Sequence, residues 1–131
     1  MDEKENQLMF KFSLFEQQIR QIQEQLQVID NAIVDTGHLN EGVNELKDGK
    51  GKEIFAPIGR GIFIKGRIEE RDLMVHVGGG NFVKKSVSET QELIKDQIKK
   101  LENVKEELEN KLEEINSELT KTFMEAQEKK G

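Results

Sequence analysis

Apolar residues recur at alternating steps of 4 and 3 near the start of this sequence and again near its end, and the pattern stops in between. Leu8, Phe12, Phe15, Ile19, Ile22, Leu26, Ile29 and Ile33 form the first row. Ile94, Ile98, Leu101, Leu108, Leu112, Ile115 and Leu119 form the second, with Lys105 in its one skipped position. A row of this period stays on one narrow face of a helix and needs a second helix to cover it. Two such rows flanking a non-heptad insert predict an α+β chain: a long antiparallel coiled-coil hairpin, with the insert at the bend and both ends of the chain together at the far tip. Any function has to reside in the bend or the tip.

Composition narrows the choice further. Of 131 residues 35% are charged and 34% apolar, with 7 Phe and neither Trp nor Tyr. A large globular core is therefore not expected, and residues 1–131 read as one domain. The absence of Cys excludes disulfide staples, thiolate nucleophiles and Cys-ligated zinc. A net charge of −6 disfavours nucleic acid as a partner, because phosphate contacts need a basic face. No apolar run approaches the roughly 18 residues of a membrane span, and the acidic, polar Met1 to Asn6 is unlike a signal peptide, so a cytoplasmic protein without membrane contact is expected.

Along the chain, the first helix is expected to open near Asp2 to Asn6 and to fill residues 1–47, roughly 60 Å at 1.5 Å per residue. Its row weakens after Ile33. Thr36 and Asn40 fall on core positions, while Leu39, Val43 and Leu46 point to a shifted register of the stutter or stammer kind, softened by Gly37 and Gly42. Residues 48–53, with Asp48-Gly49-Lys50-Gly51-Lys52, read as a loop. Residues 54–85 then change character to short β-branched and aromatic runs: Ile54 to Ile58, Ile62 to Ile68, Leu73 to Val77 and Phe82 to Lys85. Four strands in two hairpins follow, turned by Gly59-Arg60-Gly61 and Gly78-Gly79-Gly80-Asn81, with Pro57 on an edge strand or at a bulge. Ser86 and Glu89 form a capping signal for the second helix, residues 86–131, whose end from Glu128 to Gly131 should fray.

No catalytic, cofactor-binding or metal-ligating constellation emerges. Gly78-Gly79-Gly80 lacks the following helix of a dinucleotide loop and the Lys-Ser/Thr pair of a Walker loop, and Gly49-Lys50-Gly51-Lys52 is as incomplete. The only histidines, His38 and His76, have no partner at a metal spacing. The Glu and Lys residues of the second helix read as the solvated faces of a coiled coil.

Two features resist a purely structural reading. A four-stranded insert exposes strand edges and buries little apolar area alone, so it should associate with like chains. The residues that would do so are Ile54, Phe55, Pro57 and Ile58 in the first run, Ile62, Phe63 and Ile64 in the second, Leu73, Val75 and Val77 in the third, and Phe82 and Val83 in the fourth. At the tip, Met9, Phe10 and Leu14 lie off the first apolar row. Phe123 and Met124 lie off the second, whose positions there are Thr122 and Ala126. Either these five pack the end of the coil, or they form an adaptable apolar contact surface, for which Met and Phe are suited.

Ile54-Phe55-Ala56-Pro57-Ile58-Gly59-Arg60-Gly61-Ile62-Phe63-Ile64-Lys65-Gly66 resembles the signature of alpha-type prefoldin subunits, a Val/Ala-Pro-Ile-Gly turn followed by a strand ending in Lys-Gly. Val75-His76-Val77-Gly78-Gly79-Gly80 is similar to the second hairpin of that class, and Ser86 to Glu92 to the start of its second helix. The resemblance runs from about Leu8 to Gln127. It implies an ATP-independent co-chaperone needing no cofactor, assembled from two alpha-type and four beta-type subunits through an intersubunit β-barrel platform. It further implies that six coiled-coil tips hold unfolded proteins, among them actin and tubulin in eukaryotes, for transfer to a group II chaperonin. On that basis the insert is the assembly platform, and Met9, Phe10, Leu14, Phe123 and Met124 are the client-contact candidates. The alternatives are a self-assembling, filament-forming relative, a coiled-coil spacer with no client site, and an enzyme, which a narrow coil without a polar pocket does not favour.

Overall fold

The computed structural model describes residues 2–130, the side chains of 129 and 130 excepted. Its elements are α1 (Glu3–Asn44), a 3-10 turn (Glu45–Asp48), β1 (Glu53–Gly59), β2 (Ile62–Arg67), β3 (Leu73–Gly78), β4 (Asn81–Lys85) and α2 (Val87–Lys130). Contacts divide the chain into two compact units, one of residues 34–99 and one pairing the residues up to 33 with those from 100 onward.

In the paired unit the two helical segments are antiparallel. The Phe12 ring centroid lies 6.4 Å from that of Phe123, and Lys105 Nζ lies 2.8 Å from Asp30 Oδ1. The inward residues are those of the two apolar rows. Phe15 and Ile22 are buried, while Leu8, Phe12, Ile19, Leu26, Ile29 and Ile33 are half-buried opposite Leu101, Leu108, Leu112, Ile115 and Leu119. Thr122 and Ala126 continue the second row. Lys105 fits the skipped position because its stem can lie along the seam while its ammonium reaches Asp30. That hydrogen bond and the attraction of the Asp30 carboxylate raise the Lys105 pKa. No side chain among the described residues is completely enclosed, as expected of a seam one layer thick.

In the unit of residues 34–99, the register expected to shift after Ile33 does not shift. Thr36 and Asn40 turn inward and Val43 is buried, while Leu39 is 55% exposed. The steps from Ile33 through Thr36 and Asn40 to Val43 simply continue the 3-4 pattern. The reason is geometric: α1 passes through Gly37 and Gly42 unbroken, so helix phase decides what faces inward, and two polar side chains occupy core positions. Asn40 Oδ1 is buried with no hydrogen-bond partner, a cost in stability at this layer. Leu46 follows Val43 by three residues because the helix tightens there into the 3-10 turn, with three residues per turn. Val43, Val87 and Ile94 form the core, with Leu46, Leu73 and Ile98 packed on it. Beside them Gln91 Nε2 donates to Asn44 Oδ1 at 3.1 Å.

The four strands form two separate antiparallel hairpins, β1 with β2 and β3 with β4. Both turn through two residues of positive φ, Arg60-Gly61 at 49° and 79° and Gly79-Gly80 at 59° and 76°, the primed turn whose twist matches that of the strands. Pro57 pairs with Phe63, and the register slips between Pro57 and Gly59. Both placements expected of the proline therefore hold, since every strand of a two-stranded sheet is an edge. Glu70, in the link between the hairpins, is tied to β4 by a 2.7 Å ion pair with Lys84, whose hydrogen bond lowers the Glu70 pKa.

The capping signal closes as the sequence requires. Glu89 N donates to Ser86 Oγ at 3.1 Å and Ser86 N donates to Glu89 Oε1 at 3.3 Å. The helix runs to Lys130, and residue 131, the last of the segment expected to fray, lies outside the described residues. The Ser86 hydrogen bonds lower the Glu89 pKa, so the carboxylate's contribution is complete above the ordinary glutamate range and is lost as pH falls through the depressed value. Ser86→Ala should lower stability by about 1 kcal/mol at neutral pH, read from chemical denaturation followed by circular dichroism, and its deficit should shrink as Glu89 protonates.

Candidate functional site

The chain exposes far more surface than its mass requires. Its accessible area is 10725 Å², whereas a compact monomer of 15.1 kDa exposes roughly 7,000 Å². Much of the excess is apolar and falls on two sets of residues.

The first set is at the end of the paired unit where α1 begins and α2 ends. Met9, Phe10, Leu14, Phe123 and Met124 are all exposed, Phe10 at 68% and Met124 at 60%. They do not form one patch. Met9 and Phe10 follow the inward Leu8, placing them beside and behind the seam. Phe123 reaches the ring of Phe12, which joins it to the seam edge. Met124 lines a shallow groove along α2 with Leu112, Asn116 and Thr120, rimmed by Glu113, Glu125 and Lys121. Apolar side chains thus surround the coil end, able to touch an extended apolar chain from several directions. Val28 and Val104, also exposed, share a groove with Ile29 and Leu108 lower on the same unit; the sequence reading passed over them because single apolar residues off a heptad row carry no pattern.

The second set is the hairpins. Ile54, Phe55, Pro57, Ile58, Ile62, Phe63, Ile64, Val77, Phe82 and Val83 are exposed, Phe55 at 71%, whereas Leu73 and Val75 are half-buried and Leu73 packs on the core of its own chain. Met74, absent from the expected set, is 63% exposed. Alternation along β3 sets it on the face opposite Leu73 and Val75, beside His76. His76 is exposed with its ring 5.1 Å from that of Phe82, and His38 is exposed on α1. Among the described residues no group of His, Asp or Glu is placed to hold a metal.

Three backbone donors of the loop after α1 are engaged within the chain. Gly49 N donates to Leu46 O, Gly51 N to Ile68 O at 2.7 Å, and Lys52 N to Gly49 O. A phosphate cradle needs such N–H groups free and converging. Gly78-Gly79-Gly80 is a hairpin turn, as its context requires. No described helix is long and apolar enough to cross a membrane.

A family model described as prefoldin subunit matches residues 15–131. The chain belongs to the prefoldin family. Prefoldin subunit alpha of Methanobrevibacter smithii is 34% identical over 102 residues, covering 77% of this chain and 70% of that one. Prefoldin subunit alpha of Methanococcus vannielii is 28% identical over 121 residues, covering 92% and 81%. Both relatives are alpha subunits, and this chain is an alpha-type prefoldin subunit, a chaperone subunit. Among solved structures, filamentous PFD from Methanocaldococcus jannaschii, determined by cryo-EM, superposes with a TM-score of 0.80 at 22% identity, over 88% of this chain and 97% of that one, a likeness of fold.

The separation of seam from surface is testable residue by residue. Phe10→Ser should change stability by less than about 0.5 kcal/mol, whereas Phe12→Ser, two residues on and turned inward, should cost roughly 1–3 kcal/mol in denaturant unfolding.

Proposed function

We propose that this prefoldin subunit holds unfolded polypeptides at the end of its coiled coil, without nucleotide, as part of an assembly built through β1 to β4. The observation that carries the reading is the ring of exposed apolar side chains, Met9, Phe10, Leu14, Phe123 and Met124, around that end. In the same reading residues 1–131 act as one domain. Residues 1–47 and 86–131 form the coil, 48–53 the connecting loop, and 54–85 the platform, closed into β-barrels with other subunits. Two alpha-type and four beta-type subunits make up the assembly, which works in the cytoplasm and passes its clients to a group II chaperonin. Self-assembly into filaments is the second reading, favoured by the filamentous solved structure of like fold.

Burying one Phe or Met fully against a client contributes about 1.5–3 kcal/mol, and partial burial less, so a single coil end binds weakly. Several ends around a common space raise the effective concentration of the rest once the first engages. Affinity should therefore fall steeply with the number of intact ends. Changing Met9, Phe10, Leu14, Phe123 and Met124 together to Ser should leave the size of the assembly unchanged. It should abolish most of its suppression of aggregation of a denatured client, with or without ATP. Normal protection by the five-fold variant would leave the coil a spacer.

Replacing residues 54–85 by a short polar loop should give a monomeric helical hairpin by native mass spectrometry. An unchanged oligomer would remove the insert from assembly.

A further inference from the structure

From Glu109 to Glu128 the second helix carries six Glu and two Lys, so the part of the coil that bears Met124 is strongly negative. That charge is arranged about the groove on α2. Glu109 and Glu113 stand at one end of it and Glu125 and Glu128 at the other, with Lys121 the one cation among its lining residues. Between them Asn116, Ser117 and Thr120 are short side chains that make the depression, and Leu112 and Met124 give it apolar walls. Thr120 Oγ1 donates back to Asn116 O at 3.0 Å, so its hydrogen is not offered to a ligand.

Two observations narrow what can lie there. Every lining residue belongs to α2, whose backbone groups are already paired along the helix, so an occupant is held by side chains alone. The rim acids are also largely unspent. Among the described residues Glu113, Glu125 and Glu128 form no ion pair, and Glu109 has one, with Lys105 at 4.0 Å. An acidic segment is repelled from this rim and a purely apolar one uses only the walls, whereas Lys or Arg beside apolar residues uses both. The helix rise sets the length. The two pairs of acids are centred about 23 Å apart at 1.5 Å per residue, a span that an extended chain at about 3.3 Å per residue covers in about seven residues.

We infer that this groove selects, among unfolded clients, extended segments of about seven residues with an apolar centre and Lys or Arg at both ends. The inference rests on the proposal that the coil end holds unfolded polypeptides, and it names which of them are held best. Charge complementarity identifies the occupant, and geometry fits it. The stems of Lys and Arg are themselves apolar, so a cation at one end covers Leu112 while its head meets Glu109 and Glu113. A cation at the other end covers Met124 and meets Glu125 and Glu128 in the same way. Alternate residues of the segment face the groove and fill the depression over Asn116 and Thr120. Exposed ion pairs are individually weak, and four of them together change affinity about tenfold. Selection is therefore sensitive to salt.

The test compares three labelled unfolded polypeptides, each carrying several copies of one apolar segment flanked by Lys, by Ser or by Glu. Their binding to the assembled full chain is followed by fluorescence anisotropy. The Lys-flanked chain should bind about tenfold more tightly than the Glu-flanked one at low salt, and the two should converge in about 1 M salt. Changing Glu109, Glu113, Glu125 and Glu128 together to Gln should bring them within about threefold of each other at low salt and leave the Ser-flanked chain bound as before. An equal loss of charge outside the groove, with Glu102, Glu106, Glu107 and Glu114 changed to Gln, should leave most of the preference in place. Lys121→Gln removes the rim cation and should tighten binding of the Lys-flanked chain about twofold, a gain that misfolding does not produce. Retained preference in the groove variant, or its equal loss in the control, would overturn the groove assignment. If wild type binds all three alike, selection by charge fails and the holding role stands. If none of the three binds, the holding role fails and the inference with it.

Discussion

A single row of apolar side chains from each helix is what the structure depends on. Each inward residue covers the facing row, and nothing lies behind it, so the described residues include no completely enclosed side chain. Such a seam is sustained by the regularity of its phase. A residue displaced by one position would leave the interface, and a phase kept through Ile33, Thr36, Asn40 and Val43 draws two polar side chains into the core. Asn40, with its Oδ1 buried and without a hydrogen-bond partner, weakens the seam at that layer. Lys105 with Asp30, in the other unit, does have its partner, in an ion pair whose worth as stability is small and whose position is specific.

The insert obeys a different logic. Its hairpins have apolar residues on both faces and unpaired groups on every outer edge, so they are incomplete structures by the ordinary accounting of buried surface and backbone hydrogen bonds. In the proposed assembly other chains complete these two small exposed sheets and cover their Ile, Phe and Val residues.

Much of this was legible in the sequence for definite reasons. Both rows of the seam, the turns at Arg60-Gly61 and Gly79-Gly80 and the Ser86–Glu89 cap are local patterns, and local patterns survive folding unchanged. Leu39 misled because its side chain is apolar. Composition pointed to a shifted register where helix phase, which composition does not alter, kept Asn40 inward. Contacts across the coil were out of reach: nothing in the spacing joins Phe123 to Phe12, and the five apolar residues at the coil end, grouped by sequence as one feature, are distributed around it. Met74 lies on the face of β3 that it shares with the polar His76, away from Leu73, Val75 and Val77.

The thinness of the seam has a mechanical consequence. Each layer touches only the layers above and below it, so the paired helices behave as a zipper whose teeth open in order, and the cost of opening grows with the number released. The last teeth on α2 are Thr122 and Ala126, smaller than the Leu and Ile residues before them; each missing methylene removes about 0.8 kcal/mol of burial. The jaws at this end therefore part before the rest of the coil loosens. Opening would uncover the half-buried Leu8 and Phe12 as well, and in the proposed holding role these two would add to the apolar surface offered to a client.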